Sequence, residues 1–215
     1  VLFGLLAVNL LNPRQFTAQP TSPFWLHIVA CMNLGACALN LATLTTRFVY
    51  PQFSLEGRRV WIVGLAPLGL RRVVLTKLLA GVAASLAITL GLMILSCRML
   101  QIPPAPALMH CGVVTVMTLT LNALAVALGV LYPNFGEDNP SKIVSGFGGT
   151  FCLVLSFLYV LACVLLVWAG SPWARFHWRT PELMWGCWAA FGLLSAALGA
   201  WPLRAGLRRL RTMEL

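Results

Sequence analysis

Apolar positions in this chain form long unbroken runs, not the alternation of a strand or the single stripe of a soluble helix. Residues 15–46, 78–97, 99–136, 143–174 and 183–203 carry no Lys, Arg, Asp or Glu. Each run reaches the roughly 20 residues that a helix needs to cross about 30 Å of hydrocarbon. Turn formers and aromatics trim them to predicted spans at 24–46, 73–97, 107–131, 146–170 and 183–203. A membrane β-barrel would need alternating strands of about ten residues, and these runs are continuously apolar. Ahead of them, residues 1–12 are apolar until Asn12-Pro13-Arg14. Twelve helical residues reach about 18 Å, so 1–12 is predicted to be the exit half of a span, and the chain a C-terminal part of a longer protein. The basic leader and small-residue cleavage site of a signal peptide are not in this sequence. The predicted fold is an all-α polytopic membrane protein with five complete transmembrane helices and one truncated N-terminal helix, a single domain over 1–215.

Composition narrows the class further. The 215 residues are 60 % hydrophobic and 9 % charged. Soluble domains carry about 25 % charged residues, so a soluble enzyme, a disordered chain and a nucleic-acid-binding domain are excluded. The net charge of +10 then reads as cytoplasmic loops beside anionic lipid. One set of connections holds Arg47, Arg58, Arg59, Arg71, Arg72, Lys77, Lys142, Arg204, Arg208, Arg209 and Arg211. The other set holds only Arg14, Arg98, Arg175 and Arg179. The positive-inside rule puts the first set, and the C-terminus, in the cytoplasm. Trp25, Trp168, Trp173, Trp178, Trp185 and Trp188 then mark the outer boundary, and Trp61 and Trp201 the inner one.

Reactive chemistry is thinly supplied. No predicted span carries a carboxylate or a mid-membrane base, which argues against an ion-coupled transporter with its own coupling site. Lys77 lies near an inner end and can snorkel. There is no Gly-x-x-x-x-Gly-Lys-Ser/Thr phosphate loop. Val144-Ser145-Gly146-Phe147-Gly148-Gly149 is faintly similar to a cassette signature sequence, but glycines for close helix packing explain it better. The seven cysteines are dispersed and read as small packing residues; Cys97 and Cys111 flank a short outer loop and are a weak disulfide candidate. His27, His110 and His177 fall on the outer side without metal spacing and read as interfacial or solvated. No metal and no catalytic residue is assigned. Gly192, Ala196 and Ala200 recur every four residues and predict a packing stripe on the last span.

The segment 47–77 is too apolar for a plain loop and too charged to span. Ser54 followed by Glu56 reads as a helix start, with Ser54 capping and Glu56 near the positive end of the dipole. Val60, Trp61, Val63 and Leu65 give an apolar face, Arg58 and Arg59 a polar one, and Pro67 ends the element. Two readings stand side by side: a helix resting on lipid headgroups, and a helix that docks on a partner. Glu56 is the sole acid before residue 137, and it either pairs locally or receives a basic group from that partner.

Phe53-Ser54-Leu55-Glu56-Gly57-Arg58-Arg59-x-Trp61, then Ala66-Pro67-Leu68 and Thr76-Lys77, resembles a stretch of bacterial ATP-binding cassette (ABC) transporter permeases of the type-2 exporter class. Leu131-Tyr132-Pro133-Asn134-Phe135, Glu137-Asp138-Asn139-Pro140, Lys142-Ile143 and Ser145-Gly146-x-Gly148-Gly149 resemble the loop such proteins carry two spans later. Together they cover about 47–150. The resemblance implies a permease subunit of the bacterial inner membrane and not an enzyme. It implies no cofactor on this chain, ATP on a partner ABC ATPase subunit, and a dimer of permease units in lipid. It implies that residues 54–66 form a cytoplasmic coupling helix and 133–142 a second contact. Ser54, Glu56, Gly57, Arg58, Arg59, Trp61, Pro133, Glu137 and Asp138 are then the coupling candidates. Asn33, Asn40, Thr43, Thr115, Thr118 and Asn122 are pathway-lining candidates, against a rival reading of interhelical hydrogen bonding. The rival function is a non-transporting integral membrane scaffold or assembly protein.

Overall fold

A computed structural model describes residues 23–59, 69–172 and 181–213; side chains of 23–26, 57–59, 69–71 and 211–213 lie outside the description. The predicted partial span 1–12 and residues 60–66 of the predicted coupling helix also lie outside it. The described residues form helices α1 (Pro23–Leu44), α2 (Gly69–Met99), α3 (Pro104–Leu131), α4 (Pro140–Ser145), α5 (Phe147–Gly170) and α6 (Pro181–Met213). Among them no strand occurs, and five segments are long and apolar enough to cross a membrane. In several places the helices outrun the charge-free runs. α2 starts before Lys77, and α6 continues through Arg204, Arg208 and Arg209. Leu, Ala and Arg are good helix formers, so a helix does not stop where the apolar run does.

α3 is the axis of the bundle. Every residue from Thr120 to Val130 is buried, as expected of a helix that is apolar all round and enclosed by others. α6 runs parallel to it. A Cβ on Gly199 would sit 3.6 Å from Thr120 Cα, and one on Gly206 would sit 3.5 Å from Ala127 Cα. Arg209 donates to Leu131 O at 2.6 Å, serving an orphan carbonyl at the end of α3. The buried stripe of α6 is Phe191, Ser195, Gly199, Pro202, Gly206 and Leu210. This corrects the predicted stripe: Gly192 and Ala196 are exposed, and nothing lies within 4 Å of a Cβ on Gly192.

α1 lies antiparallel to α5. His27 meets Ser171 at 3.5 Å, Gly35 faces Val164, and Thr46 meets Cys152 Sγ at 3.9 Å. His27 and His110 are buried, so of the two readings, interfacial or solvated, the solvated one is corrected; His110 Nδ1 sits 2.7 Å from Pro106 O. His177 lies outside the described residues. Cys97 and Cys111 are free thiols.

Candidate functional site

The site begins where α1 loses its regular winding. Thr45 and Thr46 donate their hydroxyls back to Leu41 O at 3.0 Å and Ala42 O at 2.8 Å, competing for carbonyls of the helix ladder. Pro51 has no N–H, and its ring would strike the carbonyl of Arg47 in a continued α-helix. The chain responds with a π turn over Thr45–Val49, closed by the Tyr50 N–H donating to Thr45 O. 3₁₀ turns over Tyr50–Gln52 and Ser54–Arg59 follow. Such winding changes concentrate at functional sites and hinges.

This sequence of turns drives Tyr50 into the bundle, where it is 2 % exposed. It lies between two glycines. A Cβ on Gly129 of α3 would fall 2.5 Å from Tyr50 O. A Cβ on Gly148 of α5 would strike the Tyr50 hydroxyl and lie 2.8 Å from Tyr132 Cβ. Tyr50 Oη donates to Tyr132 O at 3.3 Å. Apolar packing surrounds it: Val49, Phe53, Val74, Leu124, Leu128, Ile143 and Leu210 belong to one core cluster.

The two polar segments singled out in the sequence meet here. Ser54 is fully buried, and its Oγ accepts from Asn134 N at 3.1 Å. Phe53 and Phe135 add a ring contact at 5.8 Å. Glu56 pairs with Lys77, which also donates to Gln52 O at 2.9 Å. Of the two roles open to Glu56, the local pair is the one observed. Pro133 is half-buried, Glu137 is 3.5 Å from Lys142, and Asp138 is exposed. Asn139 caps α4 by accepting from Ser141 N at 3.0 Å. Gly57, Arg58 and Arg59 lie on the Ser54–Arg59 turns; Trp61 lies outside the described residues.

The pathway-lining candidates sit elsewhere, between helices. Asn122 donates to Ser85 Oγ and to Thr118 O, each at 2.8 Å, and Thr118 lies 3.3 Å from Thr89 Oγ1. These are interhelical and back-bonding contacts of buried groups. Thr43 and Thr115 bond carbonyls of their own helices. Asn33 and Asn40 are buried, with amide atoms that find no partner among the described residues.

Lys77 and Asn134 lie in the two motifs, but Tyr50 and Gly129 also belong to the cluster and the sequence reading gave them no place in it. Their signal was indirect: a proline beside Tyr50 and a glycine among alanines.

The family described as "Putative ATP-binding cassette" matches residues 1–215. The chain belongs to that family. No curated protein and no solved structure matches it. Membership in an ATP-binding cassette family corrects the assignment to a type-2 exporter permease. It equally corrects the permease-subunit function and the expectation of a non-enzyme, since cassette families are named for nucleotide binding and are typically ATPases. The physical reason for the misassignment is visible. Ser54, Gly148 and Asn134 hold a helix-end cluster together, so the motif residues serve packing at that helix end.

ATP, which the family name implies, does not fit the described residues. The one glycine-rich run beside a helix start is Gly146 to Gly149. Its approach is already filled by Tyr50 and Tyr132 at Gly148 and by the Val144 backbone at Gly149.

Proposed function

We propose that the chain is a membrane-embedded helical member of the ATP-binding cassette family, with the Tyr50 cluster as the place where nucleotide-driven motion enters the helices. The observation that carries this reading is the coincidence of five span-length apolar segments with a cassette-family match over residues 1–215. The Lys/Arg distribution supports placing the Tyr50 end in the cytoplasm. Ser54–Arg59 and the loop from Pro133 to Asn139 then face the compartment that holds ATP. A nucleotide-binding domain, covalently linked or separate, docks there. Ser54 and Asn134 join the two segments, so a push on either reaches Tyr50, and through Gly129 and Gly148 reaches α3 and α5.

The test uses the full protein with its nucleotide-binding domain in lipid nanodiscs. The chain resists carbonate extraction, and Asp138→Lys lowers ATP hydrolysis several-fold without loss of folded protein. A chain released by carbonate, or hydrolysis unchanged by Asp138→Lys and by Tyr50→Ala alike, overturns the reading. So does photo-crosslinking of an ATP analogue to residues 146–149.

A further inference from the structure

At the end of the bundle opposite Tyr50, α2 and α3 part around a side-opening groove of about 1090 Å³. Leu90, Ile94, Leu108 and Gly112 supply apolar wall, and Arg98 and Gln101 stand at its head. Most small-molecule pockets measure about 300–1,000 Å³, so this one is large enough for a lipid. From Leu90 to Met99, where α2 ends, the helix rises about 14 Å, close to half of the roughly 30 Å hydrocarbon core. The groove thus spans a single leaflet, with its polar head at the depth of phosphate groups.

The head of the groove is closed by backbone hydrogen bonds. Gln101 adopts a positive φ of 50°. Ile102 N donates to Cys97 O at 3.0 Å and Gln101 N to Arg98 O at 3.2 Å, which closes the end of α2. Arg98 is exposed and makes no ion pair among the described residues. No residue lining the groove is acidic. A guanidinium at the head of an apolar channel matches a phosphate joined to an acyl chain, and Arg engages phosphate through paired hydrogen bonds.

We propose that this groove binds one anionic phospholipid, with its phosphate on Arg98 and an acyl chain along Ile94 and Leu108. The proposal needs the chain to lie in a membrane, which carbonate extraction tests separately, and nothing else from the functional reading.

The experiment is native mass spectrometry of the purified full chain after exchange with phosphatidylglycerol or phosphatidylcholine. Wild type retains one phosphatidylglycerol per chain in preference to phosphatidylcholine. Arg98→Gln removes that preference by about tenfold, the scale of one charge-assisted contact, while Arg98→Lys keeps part of it. Gly112→Leu places its side chain in open space, since nothing lies within 4 Å of a Cβ there. It lowers retention of both lipids with melting unchanged. Inorganic phosphate in millimolar excess leaves the lipid bound. Undiminished preference in Arg98→Gln, or displacement by free phosphate, overturns the lipid assignment. A dimer lost in Gly112→Leu with lipid retention unaltered gives the groove to a second copy and overturns it too.

Discussion

Gly148 shows how one missing Cβ shapes the functional cluster. Its open side is occupied by the Tyr50 hydroxyl and Tyr132 Cβ. Gly148→Ala should therefore destabilise by about 1–3 kcal/mol through overpacking. Tyr50→Phe should cost only the one hydrogen bond, about 0.5–1.5 kcal/mol. Because the hydroxyl is the nearest obstacle, the double variant should melt above Gly148→Ala alone; equal or lower melting in detergent would dismiss the wedge. Glu56 gives a second residue-scale outcome. Its pair with Lys77 is 28 % and 29 % exposed, so its loss is worth on the order of 1 kcal/mol. Glu56→Lys and Lys77→Glu should each lower stability, and the charge-swapped pair should recover part of it, because a carboxylate at 77 cannot donate to Gln52 O. Failure to recover would show that Glu56 answers to another group. Neither contact was legible in the chain, because both join residues separated by a turn or by several helices.

At the scale of elements, apolar runs revealed which segments are helical but not which face each helix buries. In a soluble helix the polar face marks the outside. A helix in lipid is apolar on every side, so small residues on two stripes of α6 looked alike. The structure chooses Ser195, Gly199 and Gly206 over Gly192 and Ala196. Gly199→Leu should accordingly cost about 1–3 kcal/mol where it meets Thr120, while Ala196→Leu should be neutral in thermal melting. The reverse order would restore the first stripe. The π turn was hidden for a related reason. Periodicity averages over a whole run, and only the local pair of hydroxyls and Pro51 dictates the change of winding.

For the whole molecule, the direction of each crossing follows from the helix order. The ends of α1, α3 and α6 share one face with the start of α2 and α5. Single cysteines at Asp138 and Arg208 should be labelled from one side of the membrane and a cysteine at Arg98 from the other. With the Lys/Arg distribution, the first side should be the cytoplasm; labelling of Arg208 from outside would reverse it. Five span-length apolar segments were written in the composition and the link to ATP-binding cassette systems in the two motifs, whereas the nucleotide-binding family itself was not. Its usual phosphate loop is missing from the 215 residues, and the helical motifs pointed to another kind of subunit.

The parallel seating of α6 on α3 also has a consequence for the order of synthesis. α3 leaves the ribosome before α6, yet α6 covers its Thr120–Ala127 side and serves the Leu131 carbonyl. Until the last helix arrives, the axis of the bundle stands uncovered, with a flank shaped for glycine. Chains ending before Pro181 should insert and then be degraded by membrane proteases. Co-expression of α6 as a separate segment should lengthen their half-life in a pulse-chase, and a Gly199→Leu version of that segment should not. A truncated chain as long-lived as the complete one would mean that α3 reaches its final packing without its last neighbour.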